Sequence, residues 1–141
     1  MKKLHIITLL SLLAVNIPSV LATTELRKEP SDAEIRQKVV GTWIVDTHST
    51  NGVSIEGTVT IFSDSKFISK ATASVGDKKQ ELEYEGTWQV KDRYLIETIT
   101  KSGSKLITAG KVTRDKIIRV DDQELVFRTE SGKIVTRKRS P

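Results

Sequence analysis

From Gly41 onward, turn-forming residues punctuate this chain at nearly even intervals: Asn51-Gly52, Ser63-Asp64-Ser65, Gly76-Asp77, Asp92, Ser102-Gly103, Asp115, Asp121-Asp122 and Ser131-Gly132. The runs between them are rich in β-branched residues and alternate apolar with polar side chains. Turns recurring every 8–12 residues or so are those of an antiparallel sandwich or barrel. The spacing predicts strands near 42–49, 53–62, 66–75, 80–91 and 93–101, a bent strand over 106–121, and a hairpin over 124–138 that supplies strands seven and eight. One short helix precedes them, near 32–40. Ser31 and Glu34 have the spacing of a capping box, and Asp32 brings negative charge to the first turn. Ile35 and Val39 share a face, and Gly41 suits the end.

The pattern of side chains tests how the strands pair. A hairpin closed over Gly76–Lys79 sets Val75 opposite Gln80, Ala73 opposite Leu82, Ala71 opposite Tyr84, Ser69 opposite Gly86 and Phe67 opposite Trp88. One face is then apolar. The other sets Thr72 against Glu83 and Lys70 against Glu85, as a half-buried antiparallel pair requires. A turn at Lys91–Arg93 continues the meander, with Val90 facing Tyr94 and Trp88 facing Ile96. The register one residue away would set Glu97 opposite Trp88 on the core face, and is rejected for that reason. The expected inner wall therefore holds Phe67, Ala71, Tyr84, Trp88, Tyr94 and Ile96.

Residues 1–22 have the three parts of a secretory signal: Lys2 and Lys3, the apolar run LHIITLLSLLAVNI, and VLA before a cleavage point after Ala22. The run is short for a membrane span, so no stable membrane insertion is expected after cleavage. The mature chain would begin near Thr23, with 23–30 a polar leader and 31–141 a single barrel domain in the periplasm or outside the cell. Without Lys2 and Lys3 the balance is 21 basic against 18 acidic residues, with no concentrated stripe or aromatic ladder. Nucleic acid is not an expected partner. With no cysteine, no disulfide can support the fold, which must rest on its core.

Both tryptophans lie in the same tripeptide, Gly41-Thr42-Trp43 and Gly86-Thr87-Trp88. A short helix running into Gly-x-Trp on the first strand of an eight-stranded meander resembles the lipocalin-like (calycin) barrel. That resemblance implies an all-β, eight-stranded, antiparallel up-and-down barrel with a short N-terminal helix. It also implies a base made of Gly41 and Trp43, with a basic residue of the final strand over the indole. A three-residue turn at Glu130-Ser131-Gly132 pairs Phe127 with Val135 and Leu125 with Arg137. Arg137 then shares the apolar face and is the residue expected against Trp43, with Arg139 as the alternative. The disulfides usual in the family are absent, and VDDQEL at 120–125 departs from its Thr-Asp-x-x-Tyr segment.

Catalytic chemistry has little to work with. His48 is the one histidine after the leader, in THSTNG, and no nucleophile elbow is present. No enzymatic activity, metal or cofactor is expected, since a zinc site needs several His or Cys ligands. The run Glu81, Glu83, Glu85 reads as a solvated outer face paired with Lys70 and Lys101. The expected function is binding of a small, mostly apolar ligand inside the barrel, lined by Trp88, Tyr84, Tyr94, Ile96, Phe67 and Ala71. The alternatives are a protein-interaction module, such as an inhibitor of a secreted protease that uses 23–30 as a tail, or an envelope protein with no ligand.

Overall fold

A computed structural model describes residues 28–141. The expected signal, cleavage point and most of the leader lie outside the described residues. Helix α1 (Asp32–Val39) is followed by eight strands: β1 (Gly41–His48), β2 (Val53–Ile61), β3 (Lys66–Val75), β4 (Lys78–Lys91), β5 (Tyr94–Ser102), β6 (Val112–Val120), β7 (Glu124–Arg128) and β8 (Ile134–Lys138). Each strand pairs with its sequence neighbour, in the order β1 through β8, and every pairing is antiparallel. The sheet curls into a nearly closed up-and-down barrel. Residues 106–111, expected to begin a bent strand, instead belong to a loop between β5 and β6.

The capping box at the start of α1 forms as its residues suggest. The Ser31 N–H donates to Glu34 Oε2 at 2.7 Å, and the Glu34 N–H donates to Ser31 Oγ. The bonds donated to the Glu34 carboxyl by the Ser31 N–H and, at 2.9 Å, by the Ser31 hydroxyl hold it below its ordinary pKa. The helix lies across one end of the barrel and drives Ile35 and Val39 into the core, 1% and 0% exposed. There they join Trp43, Val59, Ile61, Phe67, Trp88, Leu95, Ile117 and Leu125. This end is closed and apolar.

Two turns set the registers differently from the sequence expectation. Between β3 and β4 the loop is the two-residue Gly76-Asp77, with Gly76 at φ +57°. Val75 therefore pairs with Lys78, Ala71 with Leu82 and Phe67 with Gly86. The shift is two residues, so every side chain keeps its face. Outside, Lys70 meets Glu83 at 3.6 Å and Thr72 donates to Glu81 at 3.0 Å.

Between β4 and β5 the correction is one residue, and it reverses the faces of β5. Asp92 and Arg93 both have positive φ, +52° and +64°, the backbone of a two-residue type I′ turn. Neither is glycine, so the conformation is held from outside. Asp32 at the start of α1 accepts from the N–H of Asp92 at 2.8 Å and of Arg93 at 2.9 Å. Lys91 then pairs with Tyr94 and Trp88 with Glu97, the register rejected above. Tyr94 and Ile96 point outward, where Arg114 stacks on Tyr94 at 4.5 Å. Leu95, Glu97 and Ile99 point in.

Both Gly-Thr-Trp copies sit at the closed end, and each element of the tripeptide has a role. Trp43 donates its indole N–H to the Val39 carbonyl and Trp88 to the Phe62 carbonyl, each at 2.8 Å. Each ring carries an arginine: Arg139 over Trp43 at 4.2 Å and Arg36 over Trp88 at 4.5 Å. A side chain at Gly41 would strike the Arg139 guanidinium, and one at Gly86 the Thr98 carbonyl. Arg139, not Arg137, therefore closes the base. The expected pairings of Phe127 with Val135 and Leu125 with Arg137 are present. They place Arg137 inside but two residues short of the closed end, over Phe127 at 4.9 Å.

β1 and β8 meet at one place. Trp43 forms a single bridge with Arg139, and the Ser140 N–H donates to the Thr42 carbonyl at 2.8 Å. Arg139 reinforces this junction by donating to the carbonyls of Val40 and Lys38, both at 2.9 Å, and of Asp122 at 2.7 Å. Towards the other end the two strands part.

Candidate functional site

Above the apolar base the interior changes character. β3 contributes Ser69 and Ala71, and β4 contributes Leu82 and Tyr84, whose ring meets Phe67 edge-on at 6.1 Å. β5 contributes Glu97, paired with Thr113 of β6. Asp115, two residues along β6, pairs with Leu95 and so faces inward as well. Diagonal neighbours of this kind lie about 7–8 Å apart. β8 adds Arg137. Two carboxylates and one guanidinium thus face the upper interior.

Glu97 is the anomaly. Its Oε1 is buried and has no hydrogen-bond partner. Burial pushes its carboxyl pKa up, against the pull of Arg137, and Asp115 adds to the rise. Asp115 is raised too, again by burial first, with Arg137 opposing and Glu130 contributing. Arg137 acts through space, since among the described residues it makes no direct ion pair with either carboxylate.

Two cavities open beside these groups. One of about 110 Å³ is lined by Tyr84, Glu97, Ile99, Ile107, Lys111 and Thr113. Ile107 belongs to the β5–β6 loop, which folds back so that the Gly103 N–H reaches the Glu83 carbonyl at 2.8 Å and the Gly110 N–H reaches that of Ile99 at 2.7 Å. The other, of about 150 Å³, lies where β1 and β8 part, among Val45, Thr47, Asp115, Phe127, Val135 and Arg137. A larger hollow of about 460 Å³ is on the outer wall, between Phe62, Lys66, Ile68, Glu85 and Thr87. It lies beside the Glu85/Gly86 bulge and holds no buried polar group, so the interior cavities are the better candidate.

Of the six residues expected to line a pocket, Tyr84 and Ala71 face the upper interior. Phe67 and Trp88 face inward but belong to the closed end, 1% and 3% exposed. Tyr94 and Ile96 are on the outside. Glu97, Asp115 and Lys111 were not anticipated. The signal for them was the one-residue choice at Asp92-Arg93, which decides whether Glu97 is inside. On the outer face, Asp46, His48 and Glu56 gather ligating atoms within 4.8 Å of one another, and His48 Nε2 is 2.9 Å from Asp46 Oδ1. All three are exposed, and a solvated ion pair accounts for them. No helix among the described residues is long and apolar enough to cross a membrane.

Glu97 gives the barrel a testable pH dependence. Its ordinary pKa is near 4.5 and its folded value is higher, so above pH 4.5 the folded state holds protons that the unfolded chain has released. Stability therefore falls as pH rises from 4.5 towards the folded pKa, and is not penalised below 4.5. Glu97→Gln is expected to remove much of this decline, leaving the variant more stable than the parent at pH 8. Urea melts from pH 4 to pH 8 that superimpose for the two proteins would refute it.

No protein-family model matches the chain, and no curated protein matches it in sequence.

Proposed function

We propose that this chain is an exported barrel of the lipocalin-like type that holds a small, mostly apolar molecule in the upper half of its interior. The observation behind this is Glu97 Oε1, a buried and unpartnered oxygen in the wall of a cavity whose apolar lining is Tyr84, Ile99 and Ile107. A barrel maintained only for stability gains nothing from an acceptor whose burial costs about 1–3 kcal/mol. The volumes, about 110 and 150 Å³, suit one ring or a short chain: a dry cavity of about 150 Å³ holds benzene. Export is supported by the three-part pattern of residues 1–22.

Native mass spectrometry of the protein recovered from its own export route tests the reading. A bound mass is expected, lost when Ile107→Trp fills the cavity and retained in Glu83→Ala on the outer face. A bare mass, together with no uptake of small aromatic probes, would leave an envelope protein without a ligand.

A second reading, an interaction module working through the leader, has one observation in its favour. Glu29 is held to Arg93 at 2.7 Å, which anchors the inner end of 23–30 beside the closed end. Inhibition of a secreted protease that disappears on deleting residues 23–28 would establish it.

A further inference from the structure

Resting on the ligand reading above, we propose that the bound molecule carries a protonated amine, received by Glu97 and balanced against Asp115, on a body no larger than a single ring. With both acids ionised, the upper interior is one positive charge short. Glu97 and Asp115 face it with two carboxylates, and Arg137 is the cation beside them, since Arg139 on the same face is held at the closed end by the carbonyls of Val40, Lys38 and Asp122. Arg137 is turned onto the Phe127 ring at 4.9 Å and forms no direct bond to either acid. Lys111 borders the cavity of Glu97, but it is exposed and makes no ion pair among the described residues. A lysine so placed keeps its ammonium in water. The other polar groups facing the space, Thr47, Ser69, Tyr84 and Thr113, are uncharged hydroxyls.

An N–H donor from the ligand supplies what Glu97 Oε1 lacks. A charge-assisted bond of this kind is about twice as strong as a neutral one. A carboxylate ligand would do the opposite, setting a further negative charge beside these acids. Ile99, Ile107 and the Tyr84 ring receive the apolar body. The amine also changes the proton balance. Burial favours the neutral form of Glu97 in the empty barrel, and a cation beside it favours the ionised form, so uptake releases a proton. Affinity therefore increases with pH until Glu97 is ionised without help.

The test uses three probes of one shape: 2-phenylethylamine, 2-phenylethanol and 3-phenylpropanoate, titrated calorimetrically into the protein at pH 6, 7 and 8. The amine is expected to bind about tenfold more tightly than the alcohol, with the propanoate weakest. Glu97→Gln should bring the amine down to the affinity of the alcohol while leaving the alcohol unchanged. Asp115→Asn, as a second variant, should weaken the amine alone and by less. Lys111→Met should preserve the preference for the amine. Calorimetry in buffers of different ionisation enthalpy should show proton release with the amine and none with the alcohol. Alcohol or propanoate binding as tightly as the amine, or a preference that survives Glu97→Gln, would overturn the amine assignment and leave the ligand reading standing. If none of the three binds, the ligand reading fails and this assignment fails with it.

Discussion

Trp43→Ala is expected to lower the unfolding free energy by about 3–5 kcal/mol, the usual range for a fully buried aromatic cut back to a methyl group. The side chain is 0% exposed and contributes to three things at once. It fills the base beneath α1, it ties the helix end through the bond from its indole N–H to the Val39 carbonyl, and it supports Arg139 at 4.2 Å. The change should appear as a lower urea midpoint with the slope preserved. A loss of less than about 1 kcal/mol would mean that the base repacks and that Trp43 is not its anchor.

Arg139→Met is expected to cost about 2–4 kcal/mol, from charge-assisted bonds to three carbonyls and a cation–π contact. The substitution keeps most of the apolar stem, so the loss reports on the guanidinium. It should be nearly independent of pH, because carbonyls do not titrate. Arg137→Met makes the opposite comparison. Its guanidinium favours the ionised forms of Glu97 and Asp115, so its removal should destabilise at neutral pH and matter little well below 3.8, where those acids are protonated in both states. Urea melts well below pH 3.8 and at neutral pH separate the two arginines. Identical pH profiles would contradict their assignment to different sites.

The contrast also shows which parts of the fold could be read from the sequence. The number of strands, the all-antiparallel order, the capped helix and the last hairpin were legible because turn residues and alternation are local signals. At Gly76-Asp77 the error was two residues, which alternation cannot detect because both registers present the same faces. The one-residue error at Asp92-Arg93 had a different origin. A type I′ turn without glycine has no local signature, and this one depends on Asp32, sixty positions away. β5 could not correct it: Leu95, Glu97 and Ile99 alternate with Tyr94, Ile96 and Thr98, and both sets are largely apolar. The set without an acid was the natural choice for the core. The fold takes the other, and that departure from local preference is where the candidate site lies. For the base arginine, residues 137 and 139 share a face, and only the depth of α1 in the barrel decides between them.

The junction of β1 and β8 has a consequence for how the chain acquires its shape. Every other seam of the barrel closes between neighbours in sequence, whereas this one joins Arg139 to Val40 across 99 positions. Seven hairpins can zip up early and leave a curled ribbon with two free edges. The ring is completed only when the final strand delivers its arginine to the first tryptophan. A chain emerging from a ribosome therefore stays an open ribbon until β8 and Arg139 have been made. This contact is the least local of the seams, and until it forms both edges are open to edge-to-edge association.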